Sequence, residues 1–167
     1  MIRTGFIAAA FALAACGGGG TSNPATNFTA SLNAANEGGG VTSGGTGTAT
    51  YTVIGSSGYT NTGPILNFTI SFNGLTAPAS MGHIHVGGAG VTGGITVPFN
   101  NVPALTAGTF SGSITASNVQ AATGGGVSVA GGSLDDLLAA MRAGNTYTNV
   151  HTSTYPNGEI RGQNQPH

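Results

Sequence analysis

Charge is what this sequence has least of. Its 167 residues include no lysine, three arginines and four acidic residues, for a formal net charge of −1. A surface so poor in positive charge cannot neutralise a phosphate backbone, and nucleic-acid binding is excluded. Disorder of the charged, solvating kind is excluded too, because 39% of the residues are hydrophobic. A single cysteine permits no internal disulfide, so stability has to come from the core and from hydrogen-bonded backbone. Long apolar runs are also missing: Phe6–Leu13 falls well short of the about 20 residues that a spanning helix needs. There is no serine nucleophile elbow, no phosphate-cradling loop leading into a helix and no close carboxylate pair suited to glycoside hydrolysis. The glycine clusters at 38–45, 87–94 and 124–132 contain no lysine and read as loops. With no catalytic residue to name, the chain is expected not to be an enzyme.

What is present begins with an export signal. Arg3, the apolar run and the small residues after it follow the order of a secretory signal peptide over residues 1–15. Leu13-Ala14-Ala15-Cys16-Gly17 resembles the lipobox of bacterial lipoproteins, which implies cleavage before Cys16 and lipidation of that cysteine. Several acyl chains on one residue anchor stably, at about 0.8 kcal/mol per buried CH₂. Residues 16–26, rich in glycine, are expected to be a flexible tether. The membrane is then one partner and the bacterial cell envelope the location. Gly17 after Cys16, where an aspartate would signal retention, points to the outer membrane.

From Asn27 on, apolar residues alternate with polar ones. Phe28, Ala30 and Leu32 share one face of a strand, as do Ala49, Tyr51 and Val53, and then Leu66, Phe68, Ile70 and Phe72. Further strands are predicted over Met81–Val86, Ile95–Phe99, Gly108–Ile114, Thr146–Thr152 and Glu159–Gln163. Short strands with frequent turns indicate an all-β antiparallel sandwich or barrel spanning 27–163, with 164–167 as a tail. One short helix is predicted after Ser133 as N-cap, with Asp136 completing an acidic capping box, Leu134, Leu137, Leu138 and Met141 as its packed face, and Gly144 as its stop. Tyr155-Pro156-Asn157-Gly158 has the residues of a tight turn. Strand edges almost without charged residues leave self-association open, as well as a cell-surface protein partner.

Three of the four histidines stand in two strands. Residues i and i+2 of a strand point the same way, so His83 and His85 share a face opposite Ile84 and Val86. By the same parity Val150 is inward and His151 outward, beside Tyr147 and Asn149. If the two strands are neighbours, three imidazoles converge on the outer face, a donor set that suits copper or zinc. The plainer reading is a hydrogen-bonded polar corner. Glu159 and Arg161 share a face of the last strand, either as an outward ion pair or with Glu159 orienting His151 from behind; Arg161 and Asn149 are the other candidate supports of the cluster.

Gly82-His83-Ile84-His85, together with Tyr147-x-Asn149-Val150-His151-Thr152-x-x-x-Pro156-x-Gly158-Glu159-Ile160-Arg161-Gly162-Gln163, resembles the CHRD (chordin-type) domain. Leu32–Glu37 followed by Gly45–Ala49 resembles that family's opening, except that Gly38-Gly39-Gly40 stands where a Pro-Pro is usual, which implies a looser loop. The resemblance implies a Greek-key sandwich, immunoglobulin-like or superoxide-dismutase-like. His83-x-His85 is similar to the copper-binding strand of copper-zinc superoxide dismutase, but the disulfide cysteines and zinc loop of that family are absent. The expectation is an exported, membrane-anchored, non-enzymatic module binding copper or zinc through His83, His85 and His151. The alternatives are a structural or adhesive module without metal, and a copper-dependent redox enzyme.

Overall fold

The computed structural model describes residues 24–55 and 63–167. The expected signal peptide, Cys16 and most of the tether lie outside the described residues. Among the described residues, eleven strands and two α-helices follow in the order β1 (Asn27–Asn33), α1 (Ala34–Glu37), β2 (Thr46–Ile54), β3 (Ile65–Asn73), β4 (Ala79–Val86), β5 (Ile95–Pro98), β6 (Gly108–Ile114), β7 (Ala122–Gly124), β8 (Val127–Val129), α2 (Leu134–Arg142), β9 (Thr146–Thr152), β10 (Ile160–Gln163) and β11 (Gln165–Pro166), with a 3-10 turn at Ala116–Asn118 between β6 and β7. Nine of the strands form one antiparallel sheet, β5-β4-β9-β10-β1-β2-β3-β6, with β11 also paired to β1. The all-β antiparallel fold read from the alternation is therefore the observed one. Its layers are parts of a single sheet curled into a half-barrel.

Burial explains the curl. Phe28, Ala30 and Leu32 of β1, Ala49 and Tyr51 of β2, and Leu66, Phe68, Ile70 and Phe72 of β3 are all buried on the concave face. Each large apolar side chain so covered contributes about 1.5–3 kcal/mol, and only a curved sheet lets all of them share one core. The end strands β5 and β6 are joined by side chains rather than by a backbone ladder. Phe99, just past β5, sits 5.6 Å from Phe110 of β6 and 4.8 Å from Phe68, and Asn101 Nδ2 donates to the Ser111 carbonyl at 2.7 Å.

Helix α2 begins and ends as its sequence predicts. Ser133 Oγ accepts from the Asp136 N–H at 3.1 Å, and Gly144 takes the left-handed conformation (φ 67°) that stops the helix. Leu134, Leu137, Leu138 and Met141 are buried against the core. Asp136 does not complete a capping box, however: its carboxylate accepts from the Ala130 N–H and closes the preceding loop.

Three further expectations are corrected. Residues 124–132 are not all loop, because Ala122–Gly124 and Val127–Val129 pair as a hairpin. The 164–167 segment is no loose tail, since Asn164 is buried, β11 pairs with β1 and the His167 N–H donates to the Asn27 carbonyl. The tether ends before residue 25, because the Ala25 and Thr26 carbonyls accept from Arg142 Nε and from the Val53 N–H. The single turn α1 was hidden in the sequence by its shortness. Asn33 caps it, its side chain accepting from the Asn36 N–H at 3.0 Å, and the turn delivers Glu37 to the far face of the sheet.

Candidate metal centre

The pairing of β4 with β9 puts the sequence motifs side by side. Gly82, Ile84 and Val86 of β4 face the core, which leaves Met81, His83 and His85 on the opposite face. Across the ladder, Met81 stands opposite His151, His83 opposite Asn149 and His85 opposite Tyr147. Strand β10 continues the rows, with Arg161 opposite Asn149 and Gln163 opposite Tyr147. Strands far apart in sequence thus present one polar patch, and His83, His85 and His151 converge as the parity requires.

That patch is largely buried, not on the open surface as expected. His83, His85 and His151 are 7%, 9% and 5% exposed, and Arg161 and Asn149 are buried too. The reason lies in loops the alternation cannot report. Residues 37–41, the loop after β4 and residues 154–158 fold over the face and enclose a cleft of about 750 Å³. Tyr155 donates its hydroxyl hydrogen to the Thr42 carbonyl at 2.6 Å, tying two of these loops together.

Two of the three imidazoles are held by backbone carbonyls, which fixes their tautomers. A carbonyl only accepts, so His85 Nδ1 carries the hydrogen in its 2.9 Å bond to the Gly93 carbonyl, and His151 Nδ1 carries it in its 3.0 Å bond to Pro156. Each of these two rings then has a bare Nε2. His151 Nε2 accepts from His83 Nδ1 at 3.0 Å, whereas His85 Nε2 is buried without any partner. Burial, then the neighbouring rings, push His83 down to about 4. Burial also lowers His85, against the upward pull of its Gly93 bond, and lowers His151 against its Pro156 bond. The cluster is neutral at pH 7, the protonation state in which imidazole binds a metal.

The spacing fits a common ion. One donor atom from each histidine lies within 4.8 Å of the other two. Two nitrogens at about 2.0–2.1 Å from one ion stand roughly 2.9–3.4 Å apart at right-angled to tetrahedral geometry. The 3.0 Å between His83 and His151 falls in that range; an ion there would require His83 to carry its hydrogen on Nε2 instead of Nδ1, and the cluster, whose donors spread to 4.8 Å, would have to contract around it. The carbonyls of Gly93 and Pro156 hold two of the rings in the way that outer partners orient imidazoles in metal sites.

The supporting residues differ from those expected. Glu159 neither orients His151 nor pairs with Arg161. It is fully buried and accepts from Ser43 Oγ (2.6 Å), the Thr76 N–H (2.8 Å), Thr76 Oγ1 (2.8 Å) and Thr152 Oγ1 (2.6 Å). Burial pushes its pKa upward, but these bonds outweigh burial and the net shift is down. The carboxylate ties the loop before β2 and the β3–β4 loop to the end of β9. Arg161 also belongs to no outward ion pair. Its guanidinium stacks on the Tyr147 ring, 3.3 Å from the centroid, and donates to the carbonyls of Gly88 and Val91, fastening the loop that holds His85. Asn149 lies among the rings as expected, with Nδ2 donating to Glu37 Oε1 at 3.2 Å and Oδ1 buried and unpartnered.

Glu37 is the site residue that the sequence concealed. It stands 112 residues from Asn149 along the chain and enters the cleft because α1 turns it there. Burial raises its pKa, against the lowering effects of Asn149 and Arg161. Its carboxylate occupies the space where a side chain at residue 158 would be, so Gly158 (φ 128°) is required both for that approach and for the turn predicted at 155–158.

No curated protein and no solved structure matches the chain. The histidine strand and the C-terminal motif that build this centre fall within a match to the family model of the CHRD domain over residues 28–164. That match covers most of the chain, which therefore belongs to the CHRD domain family.

Proposed function

We propose that this CHRD-domain protein is an exported, lipid-anchored and non-enzymatic module that binds a transition metal, copper or zinc, through His83, His85 and His151. His85 Nε2 is the observation that carries this reading. An imidazole nitrogen buried without a partner loses its hydration for nothing, at about 1–3 kcal/mol, and this one belongs to a histidine that has a ring nitrogen within 4.8 Å of a donor nitrogen on each of the other two. A bound cation satisfies it. The neutral state of the rings and their carbonyl supports favour the same use.

Calorimetric titration of the metal-free protein with Cu²⁺ and Zn²⁺ tests it. Wild type is expected to bind one ion, and His85→Ala to lose more affinity than the roughly 10–100-fold that removal of a supporting residue costs. Binding unchanged in that variant would refute the assignment. A metal-free structural corner is the competing reading, favoured by the 3.0 Å bond that already satisfies His83 Nδ1 and His151 Nε2. It predicts no binding of either ion and the same melting temperature with and without chelator. Anchoring through Cys16 has its own check: Cys16→Ser is expected to move the protein from the membrane fraction to the soluble one.

A further inference from the structure

We infer that Met81 supplies a fourth, sulfur donor to the histidine cluster, and that the completed site selects cuprous copper over zinc. This rests on the histidines being ligands and goes further by naming the ion and one more residue that binds it. Met81 precedes His83 by two residues on β4, so the three side chains of Met81, His83 and His85 leave the strand on the same face. It also stands directly opposite His151 in the β4–β9 ladder, and opposed residues have Cβ atoms about 4.5–5.5 Å apart. Met81 therefore neighbours two of the three rings, and it lines the same cleft.

Its exposure sets it apart from the protein's packed methionine. Met141 is fully buried in the core, whereas Met81 is 45% exposed at the cleft mouth. A register irregularity between Ala79 and Met81 accompanies this, the kind of bulge that re-aims a side chain beside a site. The side chain has three rotatable bonds and a soft thioether, which lets its sulfur swing over the imidazoles. Thioether sulfur with imidazole nitrogen suits Cu(I), while zinc sites draw on thiolate, imidazole and carboxylate. The competing fourth donor is the Glu37 carboxylate, a hard ligand that would favour zinc; one of its oxygens, Oε1, is engaged with Asn149 Nδ2.

Met81→Leu keeps the size and removes the sulfur. The full chain and this variant are titrated anaerobically with Cu(I) against a coloured competitor, and separately with Zn²⁺; X-ray absorption of the Cu(I) forms counts sulfur neighbours. The expected result is about a tenfold or greater loss of Cu(I) affinity, unchanged zinc affinity and disappearance of one copper–sulfur contact. Because Met81 is half exposed, the melting temperature without metal should not move. Cu(I) affinity and sulfur signal unchanged in Met81→Leu, with the ion still bound, would overturn the role of Met81 and leave the histidine site standing. Wild type that binds neither ion would bring down both.

Discussion

Acid should destabilise the metal-free protein well above the pH at which carboxylates titrate, and the histidine cluster is the reason. His83 is held at about 4 in the fold against an ordinary value of 6.5. Between those values the unfolded chain binds more protons than the folded one, so stability falls as pH falls. At 1.36 kcal/mol per pKa unit the full loss for His83 alone is at most about 3.4 kcal/mol, of which roughly 2 falls above pH 5, reduced by whatever water the open cleft admits. His85 and His151 are shifted in the same direction and add to the slope. Glu37 opposes it, because its raised pKa lets the folded state take up a proton first. Glu159, shifted down, loses its contribution only below its unfolded value of 4.5, beneath the pH range assayed. The assay is urea unfolding in chelator from pH 7.5 to 5. At roughly 1–3 kcal/mol per molar of denaturant, the midpoint should drop by about 1 M or more, and His83→Gln should flatten the slope. A midpoint that stays level or rises as pH falls, or a slope that His83→Gln leaves unchanged, would refute the account of buried, mutually repelling imidazoles.

Two other variants probe the supports of the site. Glu159→Gln replaces an acceptor of four hydrogen bonds by an amide that must turn an NH₂ toward some of the same donors, among them the Thr76 N–H, which cannot reverse. Thermal unfolding should show a loss of about 2–4 kcal/mol, and the stability of the variant should vary less below pH 4.5 than that of wild type. Gly158→Ala places a methyl group where the Glu37 carboxylate lies, on a backbone of positive φ. It should cost about 2–3 kcal/mol and expel Glu37 from the cleft, visible as the loss of the Asn149–Glu37 contact in a crystal structure of the variant.

Most strands were legible because alternation is local. Leu66, Phe68, Ile70 and Phe72 alternate with polar neighbours whatever the rest of the chain does, and β3 follows. The hairpin β7–β8 was not legible, because strands of three residues carry too little periodicity. Met81 shared the histidines' face by the same parity rule, two residues before His83, so its place was readable in the motif although its use was not.

By itself the sequence determined which side chains leave each strand together: His83 with His85, and His151 with Asn149 and Tyr147. A period of two is a property of the backbone, independent of context. Tertiary structure alone decided that this outer face would be covered by loops, that the carbonyls of Gly93 and Pro156 would set the tautomers, that Glu37 would enter through the gap left by Gly158, and that Glu159 would clamp loops instead of orienting a histidine. Those outcomes depend on where irregular segments pass over the sheet, and the path of a loop is fixed by hydrogen bonds to residues far along the chain rather than by any repeat within it.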